Sequence, residues 1–160
     1  MNQLDVIQVV AKISFALLIG IILGLNRWLH HKSAGIRTHS LVAVGSALLM
    51  LMMDGFGQFD SPSMSRVVQG LITGIGFLGA GVIIRVDRTQ KIHGLTTAAS
   101  LWVTSILGLV AGVGQYVLGM IGLTSILLVL VFGGVFEDLT GRLLGIERTS
   151  EVSNDEVNGQ

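Results

Sequence analysis

Residues 74–81, GIGFLGAG, decide the fold, because they contain the spacing G-x-G-x-x-G. In a soluble α/β protein this spacing marks a dinucleotide site, which needs a strand before the glycines, a helix after them and an acidic residue about 20 positions on. Here RVVQGLIT precedes the glycines and VIIR follows them, so both flanks belong to one apolar run. No acidic residue is placed to bind a ribose. We therefore interpret the glycines as a thin helix face.

The composition supports this interpretation. The chain has 160 residues, of which 51% are hydrophobic and 12% are charged, whereas a soluble domain carries about 25% charged residues. Its 22 glycines fit membrane helices, in which glycine is commoner than in soluble ones. The absence of cysteine excludes disulfides and thiolate metal sites. The amino terminus lacks the basic start of a secretory signal, so we expect the first apolar stretch to be retained.

Five apolar stretches have about the length of a membrane span. They run from about Val6 to Leu25, Thr38 to Met53, Arg66 to Ile84, Leu95 to Gly112 and Tyr116 to Phe136. A soluble five-helix bundle is the alternative, but no stretch shows a charged outer face at helical period. The sequence predicts an all-α, polytopic transmembrane helical bundle. We expect one transmembrane domain over residues 1–136 and a short polar cytoplasmic tail over 137–160, disordered past Thr149.

Small residues recur at helical spacing along the third stretch. Small residues four apart let helix backbones approach closely in lipid, and Gly20 with Gly24 and Gly108 with Gly112 repeat the spacing. An unwound helix that lines a transport pathway is the alternative. The glycines predicted to pack helices are Gly70, Gly74, Gly76, Gly79 and Gly81.

Basic residues are unevenly distributed between the loops. The first loop, the third loop and the tail carry eight lysines and arginines, while the opposite side has only Lys12 and Arg66. The positive-inside rule then places the amino terminus outside and the carboxyl terminus inside.

Polar side chains gather at the inner ends of the first four spans. Arginines there would bind a phosphate, an anionic lipid headgroup or an acidic partner, because guanidinium holds such groups bidentately. The other interpretation is that these residues only set the topology, and the sequence does not separate the two. This predicted inner cluster comprises Asn26, Arg27, Arg37, Thr38, Arg85, Thr96 and Thr97.

Two further polar groups lie within or beside the spans. Arg66 is expected to snorkel or to pair with Asp54 or Asp60 at the outer side, and Lys12 to snorkel outward. A polar stripe on the fourth span has two interpretations: the hydroxyls bond backbone carbonyls and join helices, or they line a pathway. This stripe consists of Thr97, Ser100 and Thr104.

The middle of every predicted span lacks an acidic residue. Magnesium usually needs carboxylate ligands, and proton relays through membranes use buried Asp, Glu or His. A cation pump is therefore disfavoured. We expect no enzyme activity, no catalytic residue, no metal site, no cofactor and no nucleic-acid partner, since hydrolase motifs and paired carboxylates are missing too.

Three long motifs resemble the MgtC/SapB (YhiD-like) family of bacterial inner-membrane proteins. They are AGIRTHSLVAVGSAL at 34–48, GIGFLGAGVII at 74–84 and GLTTAASLWVTSILGLVAGVG at 94–114. Many members add a soluble cytoplasmic domain, which we do not expect here. Many also have Glu-Arg where this chain has Asn26-Arg27, which weakens any ion-binding role for that position.

The resemblance implies a multi-pass protein of the bacterial inner membrane associated with growth at low magnesium, virulence and stress resistance. Our first hypothesis is a non-transporting factor in ion homeostasis and stress adaptation that contacts itself or another membrane protein through the small-residue faces of spans three and four. The second is an ion transporter or channel, with magnesium as one candidate ion. Its pathway would be lined by the glycines of residues 74–81 and by the polar stripe.

Overall fold

The structure, a computed structural model, describes residues 3–55, 61–86 and 91–143. The elements in chain order are α1 (Gln3–Leu29), α2 (Ile36–Gly55), α3 (Ser61–Val82), β1 (Ile84–Val86), β2 (Lys91–His93), α4 (Leu95–Val113) and α5 (Tyr116–Leu143). All five helices are long and apolar enough to cross a membrane. The predicted all-α bundle of five spans is confirmed.

The third span differs from its predicted bounds at both ends. α3 begins at Ser61, and Pro62 suits the first helical turn because its missing N–H would have no intrahelical acceptor there. α3 ends at Val82, so Ile84 falls instead in a short antiparallel ribbon, where it pairs with His93. No strand was predicted after the third span, because strands of three residues leave little periodic signal.

Gly94 connects this ribbon to α4. Its φ of 94° is a left-handed conformation that side-chain-bearing residues rarely adopt. A Cβ at this position would also collide with the backbone carbonyl oxygen of Val82. The glycine is therefore required both by the turn and by the close approach of the chain to the end of α3.

The chain divides into two compact units, residues 1–125 and 126–160. In its described part, the second unit is the continuation of α5 to Leu143, where the Thr140 hydroxyl donates to the Phe136 carbonyl at 2.8 Å. The predicted domain boundary at 136 thus lies inside a helix. The part of the tail predicted to be disordered lies outside the described residues.

The first unit is centred on α1, α2 and α4, which pack against one another, while α3 packs against α4. α1 and α2 are antiparallel, since Gly20 lies beside Ser40 and Gly24 lies beside Ile36. α2 and α4 run parallel. The order of their contacts shows this, because Gly108 meets Ser46 and Gly112 meets Met50.

Four glycines set the distances between these helices. A Cβ on Gly20 or Gly24 would stand 2.5 Å from a backbone Cα of α2. One on Gly108 would lie 2.8 Å from the Ser46 Cβ, and one on Gly112 would lie 2.7 Å from the Ala47 carbonyl oxygen. No larger residue fits at these positions without moving a backbone.

The predicted packing glycines of α3 behave differently. A Cβ on any of Gly70, Gly74, Gly76 or Gly81 would have no neighbour within 4 Å, and one on Gly79 would make an ordinary 3.5 Å contact with Ala98. The packing role predicted for the α3 glycines stays a prediction, and within this chain the helical glycines that meet the backbone of another helix at short distance are on α1 and α4 and not on α3. The reason is helical phase, because α3 presents Ile75 and Gly79 to the interior and turns the other glycines outward.

At the opposite end of the first unit, α4 closes with a Schellman turn. Gly114 has a φ of 87° and donates to Ala111, while Gln115 donates to Val110. Tyr116 opens α5 and packs edge-on against Phe15 with ring centroids 5.2 Å apart. These contacts place the start of α5 against α1.

Asp54 pairs with Lys12, not with Arg66. The Lys12 Nζ lies 3.7 Å from the Asp54 Oδ2, because antiparallel α1 and α2 bring the start of one helix to the end of the other. Arg66 lies on α3 and its side chain is exposed. The predicted outer pair Arg66–Asp54 is therefore corrected, and its alternative partner Asp60 lies outside the described residues.

We predict that Gly24→Ala destabilises the protein and that Gly45→Ala does not. The added methyl at Gly24 meets the Ile36 backbone, whereas a Cβ at Gly45 has open space. Overpacking costs about 1–3 kcal/mol, while alanine in an open helical position is favoured over glycine by up to about 1 kcal/mol. Thermal unfolding in detergent measures both variants, and equal transition temperatures would contradict the packing role of Gly24.

Candidate functional site

Three helix ends meet at one face of the first unit. Arg27 lies in the last turn of α1, His39 in the first turn of α2 and Thr97 in the first turn of α4. The close approaches at Gly20 and Gly24 hold α1 against α2 at this end. The result is a polar group that is buried although it lies near the ends of its helices.

Arg27 is the charged member of this group and is only 4% exposed. Its Nη2 donates to the Thr97 Oγ1 at 2.9 Å, and its buried Nε has no acceptor. In the described part of the chain, the ion pair found is Lys12–Asp54, and no carboxylate pairs with Arg27.

This arrangement leaves the Arg27 charge incompletely compensated. A buried charge is stable only when it is paired or hydrogen-bonded, and here one hydrogen bond and the carboxyl end of α1 oppose the cost of burial. Because no carboxylate pairs with it in the described residues, the Arg27 guanidinium still attracts negative charge.

His39 joins α2 to α4 beside Arg27. Its Nδ1 lies 3.0 Å from the Gly35 carbonyl oxygen, and because a carbonyl only accepts, Nδ1 carries the hydrogen. Its Nε2 lies 3.1 Å from the Ser100 Oγ, and this hydroxyl also lies 2.7 Å from the Thr97 carbonyl oxygen. We call Arg27, His39, Thr97 and Ser100 the junction cluster.

The polar stripe of α4 is packed between helices. Thr97, Ser100 and Thr104 are each at most 2% exposed. The Thr104 hydroxyl donates to the Ser100 carbonyl at 2.7 Å, and the single Ser100 hydroxyl hydrogen has two acceptors in reach, the Thr97 carbonyl at 2.7 Å and the His39 Nε2 at 3.1 Å. This geometry matches the interpretation in which the hydroxyls bond carbonyls and join helices. In this conformation the stripe does not face a lumen.

Among the members of the predicted inner cluster whose side chains the structure describes, Arg27 and Thr97 are joined by a hydrogen bond. Arg37, Thr38 and Thr96 are exposed, and the Asn26 Oδ1 is buried without a donor. Arg85 lies in β1, and its side chain is outside the description. The predicted cluster as a whole stays a prediction, and its described members divide into buried and exposed ones because neighbouring residues on a helix point about 100° apart.

His39 and Ser100 also belong to the cluster, although neither was among the predicted members of the inner cluster. The helical periodicity of α2 could have indicated that His39 is buried. The buried positions of that helix fall on one face, and apart from its two ends this face carries small side chains. These positions are His39, Ala43, Ser46, Ala47 and Met50.

We predict that Thr97→Val destabilises the protein by about 1–3 kcal/mol, because the buried Arg27 guanidinium loses its acceptor. The matched control is Thr96→Val, one residue away on an exposed position, with an expected change within about 0.5 kcal/mol. Thermal unfolding of both variants in detergent measures the difference. Equal effects of the two substitutions would mean that the Arg27–Thr97 bond contributes nothing.

Comparison of the sequence with known proteins identifies the family to which this chain is related. A sequence model described as the MgtC family matches residues 13–139. No solved structure gives a significant match. The family match covers α2, α3, α4 and the two strands of the β1–β2 ribbon, together with most of α1 and α5.

Three relatives illustrate the similarity. Protein SrpB of Synechococcus elongatus is 43% identical over 129 residues, which cover 74% of this chain and 71% of SrpB. The putative magnesium transporter YhiD of Escherichia coli K12 is 44% identical over 76% of this chain and 57% of its own length. Protein MgtC of Salmonella typhimurium is 41% identical over 63% of this chain and 42% of its own length. With its five apolar helices and this sequence match, the chain is a multi-pass membrane protein and belongs to the MgtC family.

Proposed function

We propose that the protein is a non-transporting factor of the bacterial inner membrane, active in magnesium-linked ion homeostasis and stress adaptation. It acts by contact with other membrane proteins and not as an enzyme. The link to magnesium comes from its family and from a relative named as a putative magnesium transporter. Because the matched region covers only 57% of that relative, the activity of the whole relative is not assumed.

This proposal rests on the positive charge of Arg27 in the junction cluster. The polar stripe of α4 is where a pathway would run, and the charged group bonded to it is the cation Arg27. A buried guanidinium repels Mg²⁺, which needs oxygen ligands and usually carboxylates. In the described residues, no group of three or more His, Cys, Asp or Glu side chains is placed to hold a metal ion.

Contact with another protein is supported by the open face of α3. Gly70, Gly74 and Gly81 have free space where a side chain would stand, and Phe77 between them is 81% exposed. An open groove of about 550 Å³ runs along Gly70 and Gly74 and is bounded by Leu49 of α2. A helix of a second copy or of another membrane protein fits such a small-residue face.

The corresponding face of α4 is not available for that purpose. Gly108 and Gly112 are occupied by α2 within the same chain. The proposed contact surface is therefore narrower than the one expected from the sequence, which included spans three and four, and it consists of α3.

The second candidate is an ion transporter, with magnesium as one candidate ion. The name of YhiD as a putative magnesium transporter favours this candidate. In that case Thr97, Ser100 and Thr104 would have to leave their present bonds and line an opened pathway.

Magnesium flux separates these functions. We expect liposomes containing the purified protein and a magnesium-sensitive dye to show the same gradient-driven uptake as empty liposomes. The reason is that the stripe is closed by packing and that the cation Arg27 is bonded to it. Saturable uptake that Thr97→Val abolishes and Thr96→Val preserves would establish the transporter instead.

The orientation in the membrane is a separate prediction. We place the junction cluster and the carboxyl terminus at the cytoplasmic side and the amino terminus outside, following the excess of basic residues. Reporter fusions within residues 28–36 should be active as cytoplasmic reporters, and fusions in the loop after α2 as external ones. The reverse pattern would refute this orientation.

A further inference from the structure

We propose that the junction cluster binds a phosphate oxyanion, with Arg27 and the first turn of α4 as the binding groups. The ligand is either free inorganic phosphate or the phosphate of an anionic lipid headgroup. This inference stands apart from the proposed function, since both a regulator and a transporter could hold such a group.

The first observation is the unused bonding capacity of Arg27. A guanidinium has five N–H donors, and in the described part of the chain Thr97 supplies its acceptor while the buried Nε has none. The side chain is 4% exposed, so water has little access to it. A ligand with several acceptor oxygens would use the remaining donors.

The second observation is the bare amino terminus of α4. Gly94 is its N-cap and provides no side-chain hydrogen bond. The first N–H groups of a helix have no intrahelical acceptor, and the helix dipole gives this end a partial positive charge. Thr97, which receives the Arg27 hydrogen bond, lies in this same turn.

The third observation is the charge of the surroundings. α2 also begins here, so a second helix amino terminus faces the same region, and His39 from its first turn joins the cluster. No described acidic side chain pairs with any member. Two helix amino termini and the buried Arg27 guanidinium therefore face the same region as the carboxyl end of α1, and no described carboxylate pairs with the guanidinium.

A phosphate suits these groups better than a single-point anion does. Guanidinium binds phosphate oxygens bidentately, and free N–H groups at a helix amino terminus bind phosphate through further oxygens. Arg27 lies two residues before the end of the span Asp5–Leu29. Lipid phosphates are found at the ends of membrane spans, where basic pockets between helices bind lipid headgroups.

The test uses the full chain in an uncharged detergent. Thermal unfolding is followed during titration with inorganic phosphate and, separately, with phosphatidylglycerol, with phosphatidylcholine as the neutral lipid control. Arg27→Lys keeps the charge but removes the planar fork, and Arg27→Gln removes both. Arg37→Gln is the matched control, because Arg37 is an exposed arginine in the first turn of α2.

We expect saturable stabilisation of the wild type by one of the two phosphate probes. The apparent affinity should fall at least about tenfold in Arg27→Lys and Arg27→Gln and change less than about twofold in Arg37→Gln. Stabilisation by inorganic phosphate identifies a free anion, and stabilisation by phosphatidylglycerol alone identifies a lipid headgroup. Absence of binding to both probes, or unchanged binding in Arg27→Gln, overturns the proposal.

A second measurement covers variants that fail to fold. Hydrogen–deuterium exchange of the wild type is compared with and without the stabilising probe. Added protection in peptides covering residues 24–30 and 94–100 supports the site. Protection confined to other peptides, or none at all, refutes it.

Discussion

The close approach of helix backbones at four glycines is the constraint on which the rest of this structure depends. Gly20 and Gly24 let α2 lie against α1, and Gly108 and Gly112 let it lie against α4. In lipid there is little hydrophobic gain from joining two apolar helices, so dispersion contacts and interhelical hydrogen bonds must hold them. Both kinds of interaction need short distances between the helices. A methyl group at any of these four positions would prevent such distances. The hydrogen bond from Arg27 to Thr97 and the contact between His39 and Ser100 follow from this spacing.

The same spacing determines the chemistry of the junction. Because three helices pack closely at this end, an arginine near a membrane face is removed from water and still lacks a carboxylate partner among the described residues. A buried positive charge is poorly suited to conduct a cation and well suited to hold an anion. The proposed non-transporting role and the proposed phosphate site both arise from that one charge. Meanwhile the glycine-rich face of α3 is left without a partner inside the chain.

The sequence was sufficient for the fold and only partly for the site. Apolar runs of spanning length predict five helices, since lipid permits few other backbone structures. Spacing alone, however, could not distinguish Gly70 and Gly74 from Gly20 and Gly24, because all four satisfy the same rule and only the identity of the facing helix separates them. The burial of individual members of the predicted inner cluster could not be read from the sequence for a related reason. Thr96 and Thr97 are adjacent in sequence, yet one is exposed and the other buried, and that difference depends on how α4 is rotated about its axis. The ribbon of residues 84–93 was too short to leave a periodic signal.

The parallel pairing of α2 with α4 has a consequence for how the protein is made. α1 and α2 are antiparallel neighbours and can pair as soon as both have left the ribosome, but the partner of His39 and Arg27 comes some sixty to seventy residues later. Until α4 has been synthesised and inserted, the guanidinium of Arg27 has no acceptor from that helix. The contact between Arg27 and α4 therefore forms only after α4 has been inserted, and insertion of the fourth helix, not of the first, is the step that brings the junction cluster together.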